Sequence, residues 1–173
     1  MNQVIEAMLQ RRSCRAYEAK QVEEAHLQEI LLAGTYAASG MGRQAGKIVV
    51  VQDPETREQL RAMNAAIMGN PDMDPFYGAP TVCVVLADTS VRTWQEDGSL
   101  VIGNLMLAAS TLGVGSCWIH RAKEEFDSDE GKALLAKWGI PESYRGVGHC
   151  ILGYPAAPTN AARERKADFI VRV

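Results

Sequence analysis

The chain has 173 residues, of which 47% are hydrophobic, enough to bury one substantial core and giving no reason for a second domain, so residues 1–173 are read as a single unit. Lysine and arginine number 18 against 21 aspartates and glutamates; the formal net charge of -3 argues against a protein that coats nucleic acid by neutralising phosphates, and any basic site must be local. The four cysteines, Cys14, Cys83, Cys117 and Cys150, are scattered without a C-x-x-C pair and there are only three histidines, which fits neither a zinc site nor a secreted disulfide scaffold and points to a reducing cytoplasm.

In chain order, Val4, Ile5, Met8 and Leu9 recur at helical spacing and predict an amphipathic helix ending near the arginines of LQRRSCRAY. A second helix is expected from Val22 to Tyr36, running into the glycine-rich loop AASGMGRQAG. KIVVVQD reads as a short buried strand, and Asp53, Pro54 and Glu55 open a polar helix to about Ile67. MGNPDMDPFYGAP is too rich in proline and glycine to pack regularly and is expected to be a loop free to move; TVCVVLAD beyond it is the most strand-like run. The segment from about Thr93 to Leu112 is apolar on most faces and predicts a central helix buried on several sides. GVGSCWIH supplies a turn and an extended piece, FDSDEGKALLAKWG a capped helix closed by Gly139, and GVGHCILGYP a third apolar strand. TNAARERK is a polar tail and DFIVRV a last strand. Mixed helix and strand with few tight hairpin signals favour an α+β sandwich. The apolar runs fall far short of the roughly 20 residues of a membrane span, and the N-terminus has no leader-like h-region, so a soluble, unprocessed chain with no membrane or nucleic-acid partner is expected.

Among residues that could carry chemistry, Arg11, Arg12, Ser13 and Arg15 offer guanidinium forks, a hydroxyl and loop amides, the donor set that holds a phosphate dianion. A solvated basic helix end complementing the macrodipole is the plainer alternative. A second basic knot, Arg163, Arg165 and Lys166, lies near the other terminus, and two such knots in an acidic protein suit a shared anion. Neither AASGMGRQ nor LGVGSCWIH has dinucleotide-fingerprint spacing; the latter would serve by bringing backbone amides close to a ligand. Cys14 and Cys117 lack a local catalytic signature and read as core filler, and His120 and His149 sit in apolar surroundings. With no metal set and no evident acid, base or nucleophile, an organic cofactor is the expected source of chemistry.

Taken together and in this order, RRSCRAY, AASGMGRQ, YGAPTVCVV, DGSLVIGNLMLAASTLGVGSCWI and CILGYP resemble the FMN-dependent nitroreductase family over nearly the whole chain. The resemblance implies an α+β nitroreductase-like fold with a central, mostly antiparallel sheet flanked by helices, and a homodimer with two FMN sites built at its interface. It implies NAD(P)H as co-substrate and nitroaromatics, quinones or similar small molecules as electron acceptors, with hydride passing through flavin N5 in a ping-pong sequence. It also implies roles by position: Arg11 and Ser13 on the FMN phosphate, Arg12 beside the ribityl chain, Arg15 near the N1 and O2 edge, and Arg163 and Arg165 closing on the phosphate. Ala38, Ser39 and Gly40, followed by Gln44, match the loop that a partner subunit lays against the flavin. His120 and Arg121 match positions whose amides approach N5 and O4, with Gly113, Gly115 and Trp118 shaping that wall. Two departures bear on the loop: Gly42 stands where the family usually has Asn, and Ala38 and Ala45 replace common prolines. The chain is short for the family, with little sequence for a lid, which predicts an open pocket. Two other readings stay open: a flavin enzyme of the same superfamily with different chemistry, such as dehalogenation or flavin fragmentation, and a module that binds FMN or another phosphorylated ligand without turnover.

Overall fold

The most strand-like runs of the chain become the inner strands of a single sheet. The computed structural model describes all residues 1–173, and its sheet has four strands, β1 (Gly46–Val51), β2 (Thr81–Asp88), β3 (Gly115–Ile119) and β4 (Tyr144–Gly153). They lie in the order β1-β2-β4-β3 and every pairing is antiparallel. Because side chains alternate along a strand, Val82, Val84 and Leu86 of β2 enter one core while Cys83 and Val85 enter another. That two-sided burial explains why β2 reads as an unbroken apolar run.

Helices cover both faces. α2 (Glu24–Thr35) and α4 (Trp94–Thr111) pack on one, burying Leu27, Ile30, Ile102 and Leu105, and α1 (Gln3–Gln10) rests on α4. The other face carries α3 (Pro54–Met68), α5 (Ala122–Asp127) and α6 (Asp129–Lys137), with Leu60, Phe126 and Leu134 in its core. The caps act as their residue types require: Asp53 accepts from the Thr56 N–H ahead of Pro54, and Ser128 accepts from the Gly131 N–H at the start of α6.

Several expectations need correction. DFIVRV forms no strand; the chain after Pro155 is irregular and exposed, with a turn in which the Phe169 N–H donates to the Lys166 carbonyl, and Phe169, Ile170 and Val171 are each more than three-quarters accessible at 78%, 77% and 78%. α5 was not anticipated, because six residues with apolar groups only at Ala122 and Phe126 carry too little periodicity to register. β1 is an edge strand and mostly half-buried, and α4 buries one face (Val101, Ile102, Leu105, Ala109) while Leu100 stays 49% exposed. The loop expected to move is pinned: Phe76 is fully buried, and Asp74 accepts from Arg57 Nη2, the Phe76 N–H and the Gly78 N–H, each at 2.8 Å.

The pin makes a pH-dependent contribution. Burial opposes ionisation of Asp74, but the donors from Arg57, Gly78 and Phe76 outweigh it and hold the carboxyl below its ordinary value. A depressed folded-state value means that the stabilisation is in force above the unfolded value of about 4 and drains away as pH falls through the folded one. Asp74→Ala is expected to cost about 1–2 kcal/mol near neutral pH, discounted for partial exposure, and this difference should shrink in acid; urea titrations of both proteins at one protein concentration measure it.

Candidate functional site

The basic knot is placed by a short clasp. α1 ends at Gln10, and the segment from Arg11 leaves in an extended conformation along the outer edge of β3. Ser13 bridges Ser116, the Cys14 N–H donates to the Ser116 carbonyl at 2.9 Å, and Tyr17 bridges Pro155. The clasp requires Gly115: a Cβ there would lie 2.9 Å from the Cys14 Cβ and Sγ. Tyr154 and Ala16 extend the contact, accepting from the Glu18 and Ala156 N–H groups. The residues after β4 are thereby carried past the N-terminal arginines.

The two knots meet there. Arg11, Arg12, Ser13, Arg15, Arg163 and Arg165 line one cavity of about 730 Å³, together with the Asn160–Ala162 stretch, and no carboxylate lines it. None of the five arginines has a carboxylate partner anywhere in the chain. Arg11 Nη1 is buried without a hydrogen-bond acceptor, a state that leaves a charged donor in need of an anion. Arg12 is committed differently: its Nη1 donates at 2.7 Å to the Leu9 and Arg11 carbonyls and so ties off the end of α1. The residues therefore suit a phosphate group, with Arg11 and Ser13 free to hold it.

Trp118, His120 and Arg121 follow along the same edge of β3, which has no partner strand beyond Ser116. Trp118 lies against Gly148, where a Cβ would come within 2.9 Å of the indole ring. His120 is exposed and Arg121 half-buried, with φ of 78°, a conformation that side-chain-bearing residues adopt at a cost and that the surroundings must enforce. Gly113, with φ of 70°, turns the chain into β3.

The remaining expected residues are not brought to this place. Ala38, Ser39 and Gln44 line a different cavity, of about 330 Å³, which opens beside β1. Ser39 Oγ accepts from the Gln44 N–H at 3.1 Å, and the Gly40 N–H donates to Asp97 Oδ1 at 3.0 Å. β1 and β3 are opposite edges of the sheet, so three strand spacings, about 14 Å, separate them. Within one chain, loop 38–44 and the arginines line separate cavities.

Sequence reading missed the polar cluster beneath the His120–Arg121 turn. Asn64 and Glu125 are fully buried, yet nothing in the polar run of α3 or in KEEF distinguishes them from surface residues; His149, read in apolar surroundings, is fully buried beside them, whereas His120, read in the same way, is exposed. The cysteines are core residues as expected; burial pushes the Cys83 thiol up to about 12 and raises Cys150 as well, which leaves neither as a ready nucleophile. No group of three or more His, Cys, Asp or Glu side chains is arranged to hold a metal ion, and no helix is long and apolar enough to cross a membrane.

A sequence model described as the Nitroreductase family matches residues 8–154, the span that contains the whole clasp and all four strands. The chain belongs to this family. Among its relatives, a Thermus thermophilus NADH dehydrogenase is 42% identical over 87% of this chain and 85% of its own length. An Archaeoglobus fulgidus protein, provisionally named NADH dehydrogenase/NAD(P)H nitroreductase, is 31% identical over 90% and 87%. A crystal structure of a Bacteroides fragilis nitroreductase with bound FMN superposes on the full length of both chains with a TM-score of 0.91 at 32% identity. The nitroreductase fold read from the sequence is thus the fold observed.

The two arginines at the start of the knot should separate by role. Arg11→Ala is expected to weaken binding of a phosphate monoester by about 1–3 kcal/mol, seen by calorimetry, whereas Arg12→Ala should chiefly loosen α1, seen as faster amide exchange at Ala7 to Gln10.

Proposed function

We propose that this nitroreductase-family chain is an FMN-dependent oxidoreductase that takes hydride from NADH or NADPH and reduces nitroaromatic, quinone or similar acceptors in a ping-pong sequence. The observation that carries the reading is the cavity walled by five uncompensated arginines, with the buried Arg11 Nη1 lacking any acceptor. Such a site selects a multiply charged oxyanion on a small ligand, and the B. fragilis relative binds FMN on the same fold. When bound, FMN supplies the two-electron carrier that the side chains lack.

The chain's own part is placement and electrostatics. Arg11, Ser13, Arg163 and Arg165 hold the phosphate. Arg15, exposed, without a carboxylate partner and lining the same cavity, would favour the negative charge that accompanies flavin reduction. The turn at His120 and Arg121 offers backbone amides along the open edge of β3. In this reading substrate choice falls to the shape of an open pocket, which suits planar acceptors of varied structure.

The site is completed by a second copy of the chain. Val4, Ile5, Met8 and Leu9 on α1, Leu32 and Tyr36 at the end of α2, and Phe169 to Val171 in the tail are all at least half exposed, from 50% to 81%. Apolar surface of that extent is what an obligate partner covers. The same pairing would bring loop 38–44 of one protomer to the arginines of the other.

The protein is expected to purify yellow, with FMN released on heating, and its visible band should bleach on anaerobic addition of NADH or NADPH and return on addition of a quinone. A colourless protein that cannot be reconstituted with FMN would sink the assignment, and a yellow protein that neither nucleotide bleaches would favour the non-turnover module. Sedimentation equilibrium at micromolar concentration should give a stable dimer; a flavin-loaded monomer would remove the shared site.

A further inference from the structure

The Arg121 peptide is held from below by a buried polar chain that reaches it from three separate elements. Asn64 on α3 donates through Nδ2 to the His120 carbonyl at 2.8 Å and to Glu125 Oε1 on α5, and accepts through Oδ1 from Arg121 Nε at 2.9 Å. On the far side of Glu125, His149 Nε2 from β4 stands 3.0 Å from Oε2, at ion-pair distance but poorly aligned for a hydrogen bond. His149 itself is wedged between Phe76 and Phe126, with ring centroids 5.3 and 6.5 Å away. All three polar side chains are completely buried.

The orientation of the Asn64 amide follows from its partners. A carbonyl and a carboxylate only accept, and a guanidinium only donates, so the NH2 group faces His120 and Glu125 and the oxygen faces Arg121. Glu125 therefore fixes Asn64, and Asn64 fixes the turn. In a trans peptide the C=O and N–H point in opposite directions, and the chain contains no cis bond. With its carbonyl oxygen drawn inward to Asn64, the His120–Arg121 peptide turns the Arg121 N–H away from the core. That N–H donates to no acceptor in the chain. The Arg121 carbonyl meanwhile accepts from the Glu125 N–H at 3.0 Å and starts α5, so the positive φ is enforced from both sides. Gly146 lets β4 press on this corner, since a Cβ there would lie 2.1 Å from the Ala122 carbonyl oxygen.

Burying a carboxylate, an imidazole and a primary amide under one turn is expensive, and an apolar core of the same volume would be at least as stable. We propose that Asn64, oriented by Glu125 and His149, is a positioning residue of the flavin site: it clamps the His120–Arg121 peptide so that one backbone N–H stays free for the bound flavin. The inference rests on the reading of this turn as part of the FMN site.

The test uses the whole chain of residues 1–173 in its native assembly. FMN is first titrated into the stripped parent; no binding would overturn the functional reading and this inference with it. With binding established, the Arg121 amide is followed by 15N NMR without and with FMN, beside the FMN dissociation constant and the flavin midpoint potential, in the parent and in Asn64→Asp, Asn64→Leu and Glu125→Gln. In the parent, FMN should shift the Arg121 amide and slow its exchange. Asn64→Asp sets a second carboxylate against Glu125; if it fails to fold, Asn64→Leu, of similar size and without a donor, carries the same expectation. In either, the shift and protection should be lost, FMN affinity should fall about tenfold, and the potential should move from the parent value. Glu125→Gln keeps an acceptor toward Asn64 and can donate to a neutral His149, so it should stay within about twofold of the parent. An Arg121 amide indifferent to FMN in the parent, an Asn64→Leu protein with parental affinity and potential, or a tenfold loss in Glu125→Gln would each overturn the clamp while leaving the flavin assignment standing.

Discussion

The close approach of Cys14 to Gly115 is the contact on which the site depends. Two backbone segments far apart in sequence lie against each other there because neither a side chain at 115 nor a larger one at 14 stands between them. From this point the N-terminal segment runs along β3 and the residues after β4 run alongside it, held by the bridge between Tyr17 and Pro155. Charge alone would keep five arginines apart. The clasp carries the residues after β4 past the N-terminal arginines, and all five line one cavity, where an entering anion would offset their mutual repulsion.

The sheet divides the candidate site residues into two sets. Antiparallel order β1-β2-β4-β3 leaves β1 and β3 as edges, with the arginines and the His120 turn at one edge and loop 38–44 at the other. Both faces of the sheet are already covered by helices, so the remaining apolar groups on α1, at the end of α2 and in the tail have nothing within the chain to pack against. Monomer topology and exposed surface lead to the same proposal: the protein works as a pair.

Beneath the β3 edge, the polar cluster shows a different economy. Asn64, Glu125 and His149 lie in the core that also holds Phe76 and Phe126, where apolar residues would pack without desolvation penalty. Hydrogen bonds are directional and hydrophobic contacts are not, so a backbone turn with positive φ at Arg121 is better specified by an amide that grips its carbonyl than by packing alone. The pinned loop around Asp74 supplies Phe76 to the same region, which ties an irregular surface segment to the stability of the turn.

Much of the fold was legible in the chain itself. Apolar pattern placed α1, α2, α3, α4 and α6 and the strands β1, β2 and β4, with β3 as an extended piece, since each carries enough apolar residues in periodic or continuous runs to declare its type. Local pattern could not show α5, too short to have a period, nor that DFIVRV stays unpaired, because strand formation needs a neighbour as well as propensity. Nor could it show that Asn64 and Glu125, polar residues in polar runs, are fully buried. Sequence determined which residue types were available and which segments would be helix or strand, because those depend on near neighbours along the chain. Only the tertiary structure decided that Arg11 and Arg163 share a cavity, that loop 38–44 lies at the opposite edge, and that Asn64 reaches the Arg121 turn, because each is a meeting in space of segments the chain holds far apart.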